Sequence, residues 1–173
     1  ICCPEWATRG FTFTGANDLL HRGRGSKIHQ RVSTIRDMPE KGVIQFKDRG
    51  KQLNDFSGLN LRRGITPTDF DGFIDYNGNL FIILEGKLKD KELPNGQKMA
   101  IENLCAAVQS EKMIVAIVFE HDTPIEQEIK VKDCLVRSVY YHPRWHDYKE
   151  RRLNVMEMIH LIEDNAKNAG LKI

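Results

Sequence analysis

Between Thr66 and Lys87 the chain carries Asp69, Asp71, Asp75, Glu85 and Lys87 around a strongly apolar run, Leu80-Phe81-Ile82-Ile83-Leu84. Charges at the end of a core strand are costly unless they are partnered or hold a cation. Glu85 and Lys87 are two residues apart, so on a strand both point to one sheet face. Carboxylates converging from two adjacent strands make an oxygen-ligand site suited to Mg²⁺ or Mn²⁺. A lysine beside such a site suits stabilisation of a hydroxide or of a developing phosphorane-like charge. A surface salt-bridge cluster of little energetic weight is the plain alternative.

The idea has a geometric condition. Asn77-Gly78 reads as a hairpin turn between two strands, Phe70 to Tyr76 and Leu80 to Leu88. A strict two-residue loop would set Glu85 opposite Phe70 and turn Asp71 to the other face. Asp71 and Glu85 share a face only with an odd loop, such as Asn77-Gly78-Asn79, or with a bulge.

The surrounding elements follow from periodicity. Leu80 to Leu84 is apolar on both faces, which predicts a central strand covered on both sides. A helix is expected from Asn95, its N-cap, to about Ser110, with Ile101, Leu104, Cys105 and Val108 on one face. Gln97, one turn before Ile101, lies on the sheet-facing side at the helix N-terminus. There it can reach the end of the Glu85–Lys87 strand, or simply cap the helix. Met113 to Phe119 and Ile129 to Tyr140 read as strands. A last helix is expected from about Asp147 to Lys167, packing through Val155, Met156, Ile159 and Ile162. Upstream the signals are weaker. Phe11 to Thr14 and Val43 to Phe46 read as short strands, and Ser26 as the cap of a helix through Ile28, Val32 and Ile35. The expected order is helix, three strands, helix, two strands, helix. That gives one α/β domain over residues 1–173, a mixed sheet flanked by helices, with 1–20 a weakly patterned N-terminal extension.

Bulk properties agree with a globular chain. Of 173 residues, 40% are hydrophobic and 29% charged, which excludes a disordered composition. No apolar run approaches the ~18 residues of a membrane span. A formal charge of +2 excludes a dedicated polycation. The charge is unevenly placed, however. Arg22, Arg24, Lys27, Arg31 and Arg36 give residues 21–36 a local +5 with no acid. That segment is either a solvated helix face or a phosphate-contacting one. Cys2, Cys3, Cys105 and Cys134 lack the spacing of a disulfide framework, so a reducing, cytoplasmic setting without a signal segment is expected.

The stretch as a whole resembles the PD-(D/E)XK nuclease superfamily. Asp71 matches its first acidic position, and Glu85-Gly86-Lys87 matches its E-x-K element. Gly25-Ser26-Lys27-Ile28-His29 resembles the N-terminal motif of the branch holding RecB-type and phage exonucleases, whose His helps to ligate metal. Gln97 resembles the Gln that opens the helix after the E-x-K strand. The resemblance implies a restriction-endonuclease-like core and a Mg²⁺- or Mn²⁺-dependent deoxyribonuclease. Asp71, Glu85, His29 and the Gly86 carbonyl would hold the metal, Lys87 would position the attacking water, and Gln97 would support the site. DNA, double-stranded or branched, would be the partner, held by Arg22, Arg24, Lys27, Arg31, Lys89, Lys91 and Lys98. A homo-oligomer is compatible with this picture. Phage recombination, repair or restriction would be the setting, in a bacterial or phage-infected cell. Three positions depart from the pattern. Asp69 rivals Asp71, Gly86 replaces a usually bulky apolar residue, and Ile101 stands where a tyrosine is common. A catalytically silent nucleic-acid-binding module of the same fold, and a structural or interaction protein, are the alternatives.

Two further groups stand out. Cys134, His142 and His146 are zinc-ligand types but lack a zinc-site spacing. His142, Arg144, Trp145, His146, Tyr148, Arg151 and Arg152 form an aromatic-basic cluster. It suits stacking on bases or gripping phosphates, or an amphipathic helix start with its Trp on the core.

Overall fold

The computed structural model describes residues 56, 67–109 and 111–173. Strand β1 (Gly72–Tyr76) and strand β2 (Leu80–Leu88) form a hairpin, followed by helix α1 (Asn95–Val108) and strand β3 (Met113–His121). A 3-10 turn (Val131–Asp133), strands β4 (Leu135–Tyr141) and β5 (Arg144–Asp147), and helix α2 (Val155–Asn168) complete the order. All belong to one compact unit that includes Thr68–Ile173. The expected elements at Phe11–Thr14, after Ser26 and at Val43–Phe46 lie outside the described residues.

The five strands form one mixed sheet in the order β1-β2-β3-β4-β5. Only β2 and β3 run parallel; the other neighbours are antiparallel. A parallel pair needs a crossover, and α1 supplies it. β2 and β3 are central, and their apolar residues are buried on both faces, as a covered parallel pair requires. On one face, Ile101 and Cys105 of α1 pack with Ile83, Ile114, Ala116 and Tyr140. The opposite face belongs to α2. Tyr76, which pairs with Leu80, donates its hydroxyl to Glu163 of α2 at 2.7 Å. Burial and that carboxylate push the Tyr76 hydroxyl up to about 12. No helix among the described residues is long and apolar enough to cross a membrane.

Several expectations change. Pro94, not Asn95, precedes the first turn of α1 and gives no side-chain cap. The strand expected from Ile129 begins only at Leu135, after the 3-10 turn. Of the residues expected to start the last helix, Asp147 ends β5 and 148–154 form a turn and loop, so α2 begins eight residues later, at Val155. Asn154 and Glu157 close a capping box there, each side chain bonding the other's backbone N–H. The buried stripe of α2 is Val155, Met158, Ile159, Ile162 and Ala166, whereas Met156 is exposed. Cys105 is a buried free thiol, as expected, and burial pushes it up to about 12.

Candidate active site

The hairpin meets the geometric condition. Tyr76 pairs with Leu80 and Gly72 with Leu84, so the loop is the three residues Asn77-Gly78-Asn79. Asn77 and Gly78 both have positive φ, 53° and 71°, a conformation that favours these two residue types. The Asp75 carboxylate accepts the Gly78 N–H at 2.6 Å and locks the turn. This register, continued by one pair, sets Asp71 across from Glu85.

Contacts at that end of the hairpin are specific. Asp71 Oδ2 accepts the backbone N–H of Gly86 at 2.7 Å. Lys87 Nζ donates to Glu85 Oε1 at 2.6 Å. Glu85 is only 2% exposed. Burial pushes its carboxyl above the usual range, and the Asp71 and Asp69 charges push the same way, while Lys87 opposes them. Such a carboxylate gains from an added positive charge. Asp71, Glu85, Gly86 and Lys87 are therefore brought together, and Asp69 stands close enough to act on Glu85 electrostatically.

Gly86 has a steric cause. It pairs with Phe119 of β3, and a Cβ on Gly86 would sit 2.7 Å from the ring carbon Cζ. The space that a bulky side chain would fill here is taken by the neighbouring strand. Glu85 and Lys87 point away from that ring, to the α1 face, because neighbouring residues on a strand alternate.

α1 packs through Ile101 against Ile83, on the face that carries Glu85. Gln97 lies one turn earlier on the same side of the helix. Its Oε1 is buried with no hydrogen-bond partner among the described residues, an acceptor in need of a donor or cation.

The remaining predicted contacts separate. Lys98 Nζ lies over the Trp145 ring, 5.8 Å from its centre. The Lys91 carbonyl accepts from Arg137. Lys89 lines a different cavity with Glu120, His121 and Cys134. Arg22, Arg24, Lys27, His29 and Arg31 lie outside the described residues. Among the described residues no three acidic, His or Cys side chains form a ready metal cage. Cys134 and His142 are engaged locally, the thiol with the Lys130 carbonyl and the imidazole with the Tyr140 hydroxyl.

Sequence reasoning missed Arg137. β3 and β4 change register between Val118 and Phe119, which pair with Ser138 and Val136, and Arg137 is the extra residue of that bulge. An arginine inside the run Leu-Val-Arg-Ser-Val-Tyr-Tyr was the available signal. No family model, curated protein or solved structure matches the chain.

Proposed function

We propose that this chain is a metal-dependent deoxyribonuclease that hydrolyses DNA phosphodiester bonds, with a restriction-endonuclease-like core. The observation that carries the reading is the three-residue hairpin loop, which puts Asp71 across from Glu85 while Lys87 Nζ touches Glu85. The same face could have been divided by a loop one residue shorter.

The donor set fits a hard divalent cation. Asp71 and Glu85 stand on facing strands, Glu85 buried with its carboxyl pushed up by burial although Lys87 pairs with it, and oxygen ligands of this kind suit Mg²⁺ or Mn²⁺. Asp71, Glu85 and the Gly86 carbonyl would hold the ion. Bound there, the ion supplies a more acidic water and neutralises charge on the phosphate. Lys87 would orient the attacking water and offset the charge that develops on the phosphate. Glu85 holds the Lys87 ammonium in place, and Asp71 fixes the strand end through the Gly86 N–H. Gln97 offers its buried Oε1 to a donor at the same end of α1. Lys89, Lys91, Lys98 and the basic segment from Arg22 to Arg36 would contact the DNA backbone. Phage recombination, DNA repair or restriction would be the setting.

The test is cleavage of supercoiled and linear DNA by purified protein with Mg²⁺ or Mn²⁺. Metal-dependent cleavage that vanishes in Lys87→Ala while DNA binding persists supports the enzyme. Salt-sensitive binding without cleavage points to the silent module, and absence of binding to an interaction protein.

A further inference from the structure

Arg137 is the most deeply buried cation described, at 7% exposure. Its guanidinium lines a cavity of about 500 Å³ together with Ser138, Lys98, Trp145 and Glu92. The bulge between Val118 and Phe119 leaves Arg137 without a partner on β3, and bulges re-aim side chains in this way. Its partners are the Lys91 carbonyl and the Glu92 carboxylate. The Glu92 side chain is 82% exposed. An exposed carboxylate is a weakly held counterion, because water and salt replace it readily. A buried guanidinium with one exchangeable anion is a receptor for another planar or tetrahedral anion.

The cavity is placed to continue the candidate active site. Glu85 pairs with Val118, Val118 with Ser138, and Ser138 with Asp147, one row across the sheet. Two strand spacings separate the β2 and β4 ends of that row, about 10 Å. Nucleic acid rises 3.4 Å per nucleotide along a strand, so this is roughly three nucleotides. Trp145 borders the cavity with Lys98 above its ring, the pairing of aromatic face and cation that single strands use.

We propose that this cavity is a second nucleic-acid subsite, in which Arg137 takes a backbone phosphate about three nucleotides from the bond to be cut. Trp145 and Lys98 receive the adjoining nucleotide. Glu92 holds the guanidinium when the strand is absent and is displaced when it arrives. The inference rests on the reading of the Asp71–Glu85–Lys87 end as a site for nucleic acid.

The experiment measures binding of a labelled single strand of about eight nucleotides, in EDTA, with a dinucleotide as the short reference. Glu92→Ala is expected to tighten binding of the longer strand several-fold. Glu111→Ala, an equal charge change at the far end of β3, leaves it nearly as in the wild type. Arg137→Gln weakens it about tenfold, and the dinucleotide, whose one phosphate can fill the subsite alone, responds in the same direction. Binding of the longer strand that ignores Glu92→Ala overturns the subsite, and that variant decides alone if Arg137→Gln fails to fold. Inorganic phosphate that displaces the strand at equal phosphate-group concentration overturns the assignment to a strand. Cleavage assays on the wild type separate the two proposals. Cleavage with binding indifferent to Glu92 and Arg137 removes the subsite and leaves the nuclease. Binding that depends on both, without metal-dependent cleavage, does the reverse.

Discussion

β2 and β3 lie side by side in parallel register, nine residues each, yet they end differently. β3 stays buried and apolar as far as Phe119. β2 is apolar as far as Leu84, with Phe81 and Leu84 half-buried, and then turns to Glu85-Gly86-Lys87. The paired positions are Glu85 with Val118, Gly86 with Phe119 and Lys87 with Glu120. An apolar continuation was therefore compatible with this part of the sheet, because the adjacent strand has one. The charged end of β2 is not required by the fold, and it buries a carboxylate whose proton affinity rises as a result. Positions where a strand departs from its neighbour at a cost in stability are where function is best sought.

The contrast can be broken most forcefully by removing Lys87. Lys87→Ala is expected to lower the metal-dependent cleavage rate by about 10²–10³, as loss of a single group that stabilises developing charge does. Single-turnover cleavage at saturating metal reads this, and a rate within a few-fold of wild type would sink the nuclease assignment. Next in size, the double change Glu85→Leu with Lys87→Leu makes the end of β2 resemble β3. Replacing a buried ion pair by apolar residues is neutral or stabilising by about 1–4 kcal/mol. Urea unfolding is expected to show that direction while cleavage disappears, and a clear loss of stability would mean that the pair holds the sheet together.

Gly86→Ala probes the other face. Its Cβ would press on the Phe119 ring, which is 3% exposed. Overpacking of this kind costs about 1–3 kcal/mol. The same substitution beside Phe119→Leu should cost less than it does alone, measured by a double-mutant cycle. Additive costs would show that the ring does not set the limit.

The smallest expected effect is one of pH. Glu85's carboxyl lies above its ordinary 4.5 in the folded chain. The folded state thus holds this proton more tightly than the unfolded state. Its contribution to stability is full below the unfolded value and is lost as pH rises through the folded one. Relative to wild type, Glu85→Gln should therefore gain stability as pH is raised from about 4 to 7. Chemical denaturation across that range checks the sign.

Much of this was legible because it depends on local pattern. β2 carries an apolar run long enough to mark its boundaries, Leu80 to Leu88, and the Asn-Gly turn marks the hairpin. Whether Asp71 and Glu85 face each other turned on one residue in the loop, which periodicity does not settle. β5 was hidden because Trp145, Tyr148 and Arg151 recur at three-residue spacing, which imitates a helix. Asn154 and Glu157 did carry the true start, as the capping-box pattern. Arg137 could not be placed from sequence, since its role depends on a register shift between β3 and β4. The basic segment with His29 lies outside the described residues.

The Asn79 side chain donates to the Lys172 carbonyl at 2.9 Å, which pins the last residues beside the hairpin turn. That turn is the opposite end of β2 from Glu85, five residues or roughly 17 Å along the strand. A fluorophore or surface linker attached next to Lys172 would thus sit at the opposite end of this sheet from Glu85 and Lys87.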